Sequence, residues 1–530
     1  MKLNNKSLED KIFWEKAGIA VPRFDREEMI ASTKAAPKWV HFGAGNIFRA
    51  FPAAIMQQLL EDKNETTGII AVKGYGGEII EKCFTAFDNL TILVTLKSNG
   101  TTEKKIIASI ASVLSMDTQL APLKKIFTSP SLQMASFTIT EKGYNLRSSG
   151  GDFFPDIKED LKNGPDSPVS YFGQIASLCH ERFINGAHPL AMVSMDNLSH
   201  NGDFLFAAME TIADIWTKNK ICKEGFADYI RDKNKISFPW TMIDKITPRP
   251  DDSVRKMLES AGLEEMNEVI TSKKTYTAPF VNAEETQYLI IEDAFPNGRP
   301  ALEKAGVIFT TKEIVDKAEK MKVCTCLNPL HTSLAVFGCL LGYTKISDEM
   351  NDKSLVKLIE GVGYEEGLPA AADPGIIKPK DFLDQVIKVR LPNPFMPDTP
   401  QRIAADTSLK IPIRFGETIK AYQRMNKNCA DLKFIPLVLA GWLRYLLGMD
   451  DQGNPFEVSP DPNYEILKSQ LDGVKIGVYD ASKLKPIISN SAYFGVNLYE
   501  AGLGDKVETF FAKMSKSSGA VRKTLKEICI

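Results

Sequence analysis

Residues 38–60, KWVHFGAGNIFRAFPAAIMQQLL, constrain the fold more than any other stretch, because they read as strand, tight turn and helix in immediate succession. Residues 38–42 are an extended apolar-rich run, Gly43-Ala44-Gly45 turns, and Ile47, Ala50, Ala54, Ile55 and Leu59 recur at helical spacing. Glycines at such a turn let backbone at a helix N-terminus approach a pyrophosphate, which is how the first unit of a Rossmann-type fold holds a dinucleotide. The candidate cradle is Gly43, Gly45, Asn46, Ile47, Phe48 and Arg49. Phe48 stands where the usual fingerprint has its third glycine, so this Gly-x-Gly alone suits a structural turn as readily as a cofactor site.

Strands and helices continue to alternate toward residue 310. A second strand, 68–72, runs into Lys73, where an NAD-binding chain usually carries an acid for the ribose hydroxyls. Lys73 suits a 2′-phosphate, Glu78 lies within reach of a ribose, and a solvated loop lysine is the plain alternative, so NAD and NADP are both open on these residues. Residues 90–96 and 105–111 alternate as strands around SNGTT. Residues 134–139 form a buried strand ending in Thr140-Glu141-Lys142-Gly143-Tyr144, either a plain loop or the point where a Rossmann sheet presents Thr140 and Glu141 to a nicotinamide. The strand 189–195 ends in polar residues 196–203, where Asn197 and Asn201 can donate to a substrate oxygen or cap the helix that begins there. Residues 240–250 hold Asp244 and Arg249 in a proline-bounded strand and loop, and 287–293 is a further strand.

Beyond residue 310 the pattern becomes helical, at 355–362, 382–389, 435–447, 464–470 and 506–514, with no convincing strand. The expected architecture is therefore α/β: a Rossmann-type dinucleotide-binding domain over 1–310 and a mainly α-helical substrate and catalytic domain over 311–530. A chain of 530 residues, 44% hydrophobic and 25% charged with a formal net charge of -2, has no basic surplus for nucleic acid. No run approaches 18 uninterrupted apolar residues and the N-terminus is polar, so no membrane partner is expected and the cytoplasm is the expected location, as a monomer or small homo-oligomer. Eight cysteines without a CxxC pair point to reduced thiols; Cys324 and Cys326 beside His331 lack a second ligand pair, so a metal there is the lesser reading.

The most unusual polar residues lie in 319–332, EKMKVCTCLNPLHT, inside an otherwise apolar helical run for which Thr310 and Glu313 fit a capping box. Pro329 disfavours an unbroken helix, so a restart is expected with Asn328 as N-cap. Asn328 and His331 then share a face, whereas Lys322 joins them only through a kink or bulge. A lysine in an apolar pocket can act as a general base, an asparagine amide can donate to a developing oxyanion, and a histidine can orient a hydroxyl. A snorkelling lysine, a capping asparagine and a satisfied core histidine are the bland alternative. A long basic, proline-rich connection at 390–415, with Arg390, Arg402, Lys410 and Arg414, suits an anionic substrate or covers a helical bundle.

Taken in order, GAGNIFRAF at 43–51, TEKGY at 140–144, DNLSHNGD at 196–203, MIDKITPRP at 242–250, QYLIIEDAFPNGRP, the NPLH stretch and NPFMPDTPQRIAADTSLKIPIRF at 393–415 resemble the polyol-specific long-chain dehydrogenases and reductases, the mannitol dehydrogenase family. The resemblance spans nearly the whole chain. It implies a metal-independent, NAD(P)-dependent secondary-alcohol dehydrogenase acting at C2 of a small open-chain sugar acid or polyol. The cationic late loop favours a keto sugar acid of the fructuronate-to-mannonate type; mannitol or another neutral polyol, tagaturonate, and a non-catalytic dinucleotide sensor are the alternatives. By the family pattern Lys322, three residues after Glu319, is the general base, Asn197 and Asn328 polarise the reacting oxygen, and His331 completes Asn-x-x-His. Arg402 and Lys410 match substrate contacts, and Asp244 a site aspartate. Five residues separate Lys322 from Asn328 where the family has four, so the extra one must be absorbed, most simply as a π-bulge around 324–327.

Overall fold

Trp39–Phe42 is extended because its side chains alternate between two apolar surfaces: Trp39 belongs to one buried cluster, Val40 and Phe42 to the other. This strand, β1, lies at the centre of a parallel sheet with β2 (Ile69–Lys73), β3 (Ile110–Ser115), β4 (Met134–Phe137), β5 (Leu190–Ser194) and β6 (Ile236–Ser237), in the order β3-β2-β1-β4-β5-β6. That order reverses direction between β1 and β4, the point where a doubly wound sheet opens a crevice at its carboxyl ends. The register sets Phe42 beside Val72 on one side and Phe137 on the other. Helix Pro52–Glu61 buries Ala53, Ile55, Met56 and Leu59 on the first face; helices Tyr171–Ile184 and Asn201–Lys218 bury Ile175, Leu178, Leu205, Ile212 and Trp216 on the second. Burying each large apolar side chain contributes about 1.5–3 kcal/mol. Arg182, fully buried, gives its donors to the carbonyls of Phe127, Ser129, Leu132, His188 and Pro189, tying together two connections, 127–132 and 188–189.

The computed structural model describes residues 1–530 except 75, 76, 272, 273 and 275. It divides into two compact units, Met1–Lys97 with Thr101–Asp316, and Ser98–Gly100 with Lys317–Ile530.

The first unit departs from the expected elements in two places. The helix after the glycine turn breaks at Phe51 into Asn46–Ala50 and Pro52–Glu61, since Pro52 has no amide hydrogen to continue the ladder. The run 105–111 is not one strand. Ala108 accepts from Arg26 Nε at 3.2 Å and donates to Gln57 Oε1 at 2.8 Å, while Ser109 Oγ donates to the Ala53 carbonyl at 2.6 Å. These bonds pin a bend, so Thr102–Ile107 pairs with Thr91–Leu96 in a small side sheet and 110–115 becomes β3. A third sheet combines Thr241–Asp244, Tyr288–Glu292 and Ile308–Thr310. Thr310 is thereby held as a strand residue, and the next helix is capped one position later, by Thr311.

In the second unit no named strand occurs among the described residues. Helix Asn328–Leu341 is buried beside helix Phe434–Tyr445; a Cβ on Gly441 would meet the Phe337 ring at 2.7 Å, so glycine permits their close approach. The run Lys312–Leu341 is, among the described residues, the one helix long and apolar enough to cross a bilayer, and 78% of its apolar window is buried inside the protein, as in a core helix. The Glu366 carboxylate caps Phe434–Tyr445 by accepting from the amides of Lys433, Phe434 and Ile435. The connection 390–415 is less irregular than its prolines suggest: Thr399 caps Pro400–Ile403, and Thr407–Ile411 comes next, because Pro400 occupies a first-turn position where no amide hydrogen is needed.

Glu349 has no exposed surface, packs against Gly338, and neither carboxyl oxygen has a hydrogen-bond partner. Burial, with Asp352 and Asp348 adding repulsion, pushes its pKa to about 9. The native state therefore holds a proton that the unfolded chain releases near pH 4.5, and this group's contribution to stability falls as pH rises from there toward 9. Glu349→Gln is expected to match the wild type in melting temperature near pH 4 and to gain on it steadily between pH 5 and 8, by at most about 1.4 kcal/mol per pH unit. Parallel melting profiles across that range contradict a buried neutral acid.

Candidate functional site

In the first unit the cradle is built by two glycines with different requirements. Gly43 sits at φ 136°, and a Cβ there would lie 2.0 Å from Thr138 Oγ1, so the turn between β1 and the helix admits no side chain. Gly45 is the N-cap of Asn46–Ala50 with ordinary extended backbone, and a Cβ there would meet nothing within 4 Å. No described residue requires the second glycine, and the space it leaves lies at the start of the helix Asn46–Ala50, where a dinucleotide pyrophosphate is held in such folds. The residues present therefore fit such a cofactor.

Phe48 and Arg49, expected as cofactor contacts, are turned into the protein instead. Phe48 is fully buried and stacks on His41 at 4.3 Å, filling the volume a third glycine would leave open. His41 lies 2.7 Å from Ser136 Oγ, and burial pushes its pKa down to about 3, so it is neutral. Arg49 donates to the Asn46 side chain, Thr91, Thr277 and the Ala278 carbonyl, bracing the turn from behind while burial lowers its pKa to about 10. Asn46 is thus tied to Arg49, and Ile47 is half-buried. Lys73 closes β2, half-buried and engaged by neighbours.

At the carboxyl ends of β4 and β5, Thr140, Glu141 and Asn197 are exposed. A link that sequence reasoning passed over holds these ends together: the Tyr144 phenol donates to Asp196 Oδ2 at 2.5 Å and lies 2.8 Å from Ser194 Oγ. Burial raises the Asp196 pKa against the pull of those bonds. Asn201, expected to face substrate, is fully buried; its amide donates to Thr241 Oγ1 at 2.9 Å and to the Asp196 carbonyl at 3.2 Å, and its oxygen accepts from Thr241 N at 3.1 Å. It fastens the start of its helix to the third sheet and has no donor left for a ligand. Asp244 is buried and engaged at the end of its strand.

In the second unit, the extra residue between Lys322 and Asn328 is absorbed as expected, slightly earlier than placed: Met321–Cys326 is a π-helical turn, closed by Leu327 N donating to the Lys322 carbonyl at 3.1 Å. Leu327, one residue before the expected cap, ends that turn, and Asn328–Leu341 begins with Pro329 in its first turn. Asn328, His331 and Thr332 stand at i, i+3 and i+4, one face of that helix. Lys322 and Asn328 are half-buried, and Lys322 has partners within the protein.

The late basic segment folds onto this face. His331 Nε2 lies 3.5 Å from Asp398 Oδ2, and the other Asp398 oxygen accepts from Arg402 Nη2. Burial alone would raise the Asp398 pKa, yet His331 and Arg402 hold it below the usual carboxylate range. Burial also lowers the His331 pKa despite Asp398, which leaves the imidazole neutral near pH 7 with Nε2–H directed to the carboxylate and Nδ1 free to accept. Lys410 donates to the carbonyls of Ile403 and Ala405, and burial, with Arg414 and Arg402 as like charges, lowers its pKa to about 8. Arg414 lies in another π-helical turn, Pro412–Gly416, where a Cβ on Gly416 would strike the Phe494 carbonyl at 2.3 Å. Its Nη1 donates to Thr332 Oγ1 at 2.6 Å and reaches the Asn328 carbonyl at 3.4 Å. Asp398 was given no role by the sequence, although an acid four residues before an arginine at a proline-capped helix start is the available signal.

Two family models match the chain, the mannitol dehydrogenase Rossmann domain over residues 37–304 and the mannitol dehydrogenase C-terminal domain over 315–514. A D-mannonate oxidoreductase from Thermotoga maritima is 52% identical over 536 residues, covering 100% of this chain and 99% of that protein. Among solved structures, a D-sorbitol dehydrogenase in substrate-free form superposes with a TM-score of 0.82 at 25% identity, over 99% of this chain and 100% of its own. The mannitol 2-dehydrogenase of Pseudomonas fluorescens, solved as a ternary complex with NAD and D-mannitol, does so with a TM-score of 0.71 at 26% identity, over 99% of both chains.

Proposed function

The chain belongs to the mannitol dehydrogenase family, and from that premise we propose that it is an NAD-dependent oxidoreductase interconverting a keto sugar acid and its hydroxy acid at C2, fructuronate and mannonate being the pair it serves. The observation that carries the choice of substrate is the 52% identity, end to end, with a protein named for mannonate. The late basic segment supports it: Arg402, Lys410 and Arg414 surround a neutral His331, a setting suited to an anionic sugar. For the cofactor, the open face of Gly45 supports a dinucleotide at the first glycine turn, and Thr140 and Glu141 are proposed to flank its nicotinamide. Lys73 is proposed to lie toward the adenosine ribose.

When bound, NAD supplies the hydride acceptor or, reduced, the donor. The chain's own residues manage the proton and the oxygen. Lys322 Nζ takes the proton of the C2 hydroxyl in oxidation and returns it in reduction. The side-chain amides of Asn328 and Asn197 donate to that oxygen as negative charge builds on it, each contributing roughly 2.7–4 kcal/mol to lowering the barrier. His331 accepts a neighbouring hydroxyl at Nδ1, and Arg402, Lys410 and Asp244 hold the rest of the sugar.

Initial rates of NADH oxidation with fructuronate, tagaturonate and fructose test the reading. Fructuronate is expected to give the highest kcat/KM of the three. Turnover of fructose alone contradicts the sugar-acid assignment and favours a neutral polyol, while cofactor binding without turnover on any ketose favours a sensor.

A further inference from the structure

Three cations of the late basic segment stand near the face of Asn328 and His331, and two of them are accounted for. Arg402 already bonds the Asp398 carboxylate, and Lys410 is seated on two carbonyls with Asp406 and Asp461 nearby. Lys322 has partners of its own. Arg414 differs. Its two acceptors, Thr332 Oγ1 and the Asn328 carbonyl, are neutral, and no acidic group pairs with it among the described residues. Its pKa is lowered to about 10 by burial, with no opposing carboxylate. A guanidinium drawn out of water without a counter-ion is costly, and such a charge persists where something else compensates it. Its Nε and Nη2 have no acceptor among the described residues and are not among the sealed polar atoms, so each keeps some accessible surface. Two parallel donors on a rigid plane match the two oxygens of a carboxylate.

We propose that Arg414 receives the carboxylate of the substrate, and so selects a sugar acid over the neutral ketose of the same carbon skeleton. This rests on the keto-acid reading above and names the residue that decides it. Nη1 is anchored on Thr332 and Asn328, which fixes the guanidinium in register with the helix that carries the oxygen-binding amide. A carboxylate remote from C2 is bound equally in ground and transition states, so its loss is read mainly in KM. The arginine also braces the helix, and a brace alone would affect acid and neutral substrates alike.

The test compares wild type, Arg414→Gln and Arg414→Lys in steady-state reduction of fructuronate and fructose at saturating NADH. In Arg414→Gln the KM for fructuronate is expected to rise about 10- to 100-fold, the range for losing one charge-assisted pair, with a smaller change in kcat. The ratio of kcat/KM for fructuronate over fructose falls by the same factor. Arg414→Lys, which keeps the charge without the fork, recovers part of the loss and serves if the glutamine variant folds poorly. A fructuronate KM within twofold of wild type in Arg414→Gln overturns the inference, as does an equal loss on both substrates. Failure of the wild type to reduce fructuronate overturns the substrate reading itself, and that arm is read before any variant.

Discussion

Lys322→Ala is expected to lower kcat for fructuronate reduction by about 10²- to 10⁴-fold, the usual contribution of a positioned general acid–base, while NADH affinity stays near that of the wild type. The local backbone is the reason to expect so much from one half-buried lysine. Five residues separate it from Asn328, and an uninterrupted α-helix would turn the two side chains away from one another. The π-helical turn Met321–Cys326 widens one turn by a residue, so the helix after it resumes as though only four intervened. Thr325 Oγ1 returns to the Met321 carbonyl at 2.7 Å and Thr418 Oγ1 donates to the Cys324 carbonyl at 3.2 Å, so carbonyls displaced by the wide turn find partners. Single-turnover rates with saturating NADH and fructuronate check the expectation; a variant retaining more than a tenth of wild-type turnover means that another group moves the proton.

Gly43→Ala is expected to remove NADH binding and to destabilise the first unit. The added methyl meets Thr138 Oγ1 at 2.0 Å and the residue is held at φ 136°, so overpacking and backbone strain each cost roughly 1–3 kcal/mol. Gly45→Ala separates cofactor contact from folding. With no described residue beyond its chain neighbours within 4 Å of its Cβ, it should melt like the wild type yet bind NADH more weakly, because the methyl enters the space proposed for the pyrophosphate. Thermal melts and NADH fluorescence titrations on both variants read the difference. Wild-type NADH affinity in Gly45→Ala contradicts the cradle.

The parallel sheet was legible because alternation and glycine turns are local signals, and β1, β2, β4 and β5 fall where the apolar runs place them. The bend at Ala108 and Ser109 was not, since it depends on Arg26 and Gln57, far away in sequence. The same limit governs the site. Lys322, Asn328 and His331 stood out as polar residues in an apolar run, and the bulge came from counting. Asn201 and Arg49 looked equally suitable, but burial and their hydrogen-bond partners decide between ligand contact and scaffold, and residue type carries neither. Asp398 and Arg414 matter through which cation already has a carboxylate, a question only the folded second unit poses.

Isotope transfer tests the central claim most directly. Fructuronate is incubated with the enzyme and NADH carrying deuterium at the transferable ring position, and the product is examined by NMR. The account predicts mannonate with one deuterium on the carbon that was the fructuronate ketone, C2 of the keto acid and C5 in mannonate numbering; a product without deuterium at that carbon, or no conversion of fructuronate at all, contradicts it.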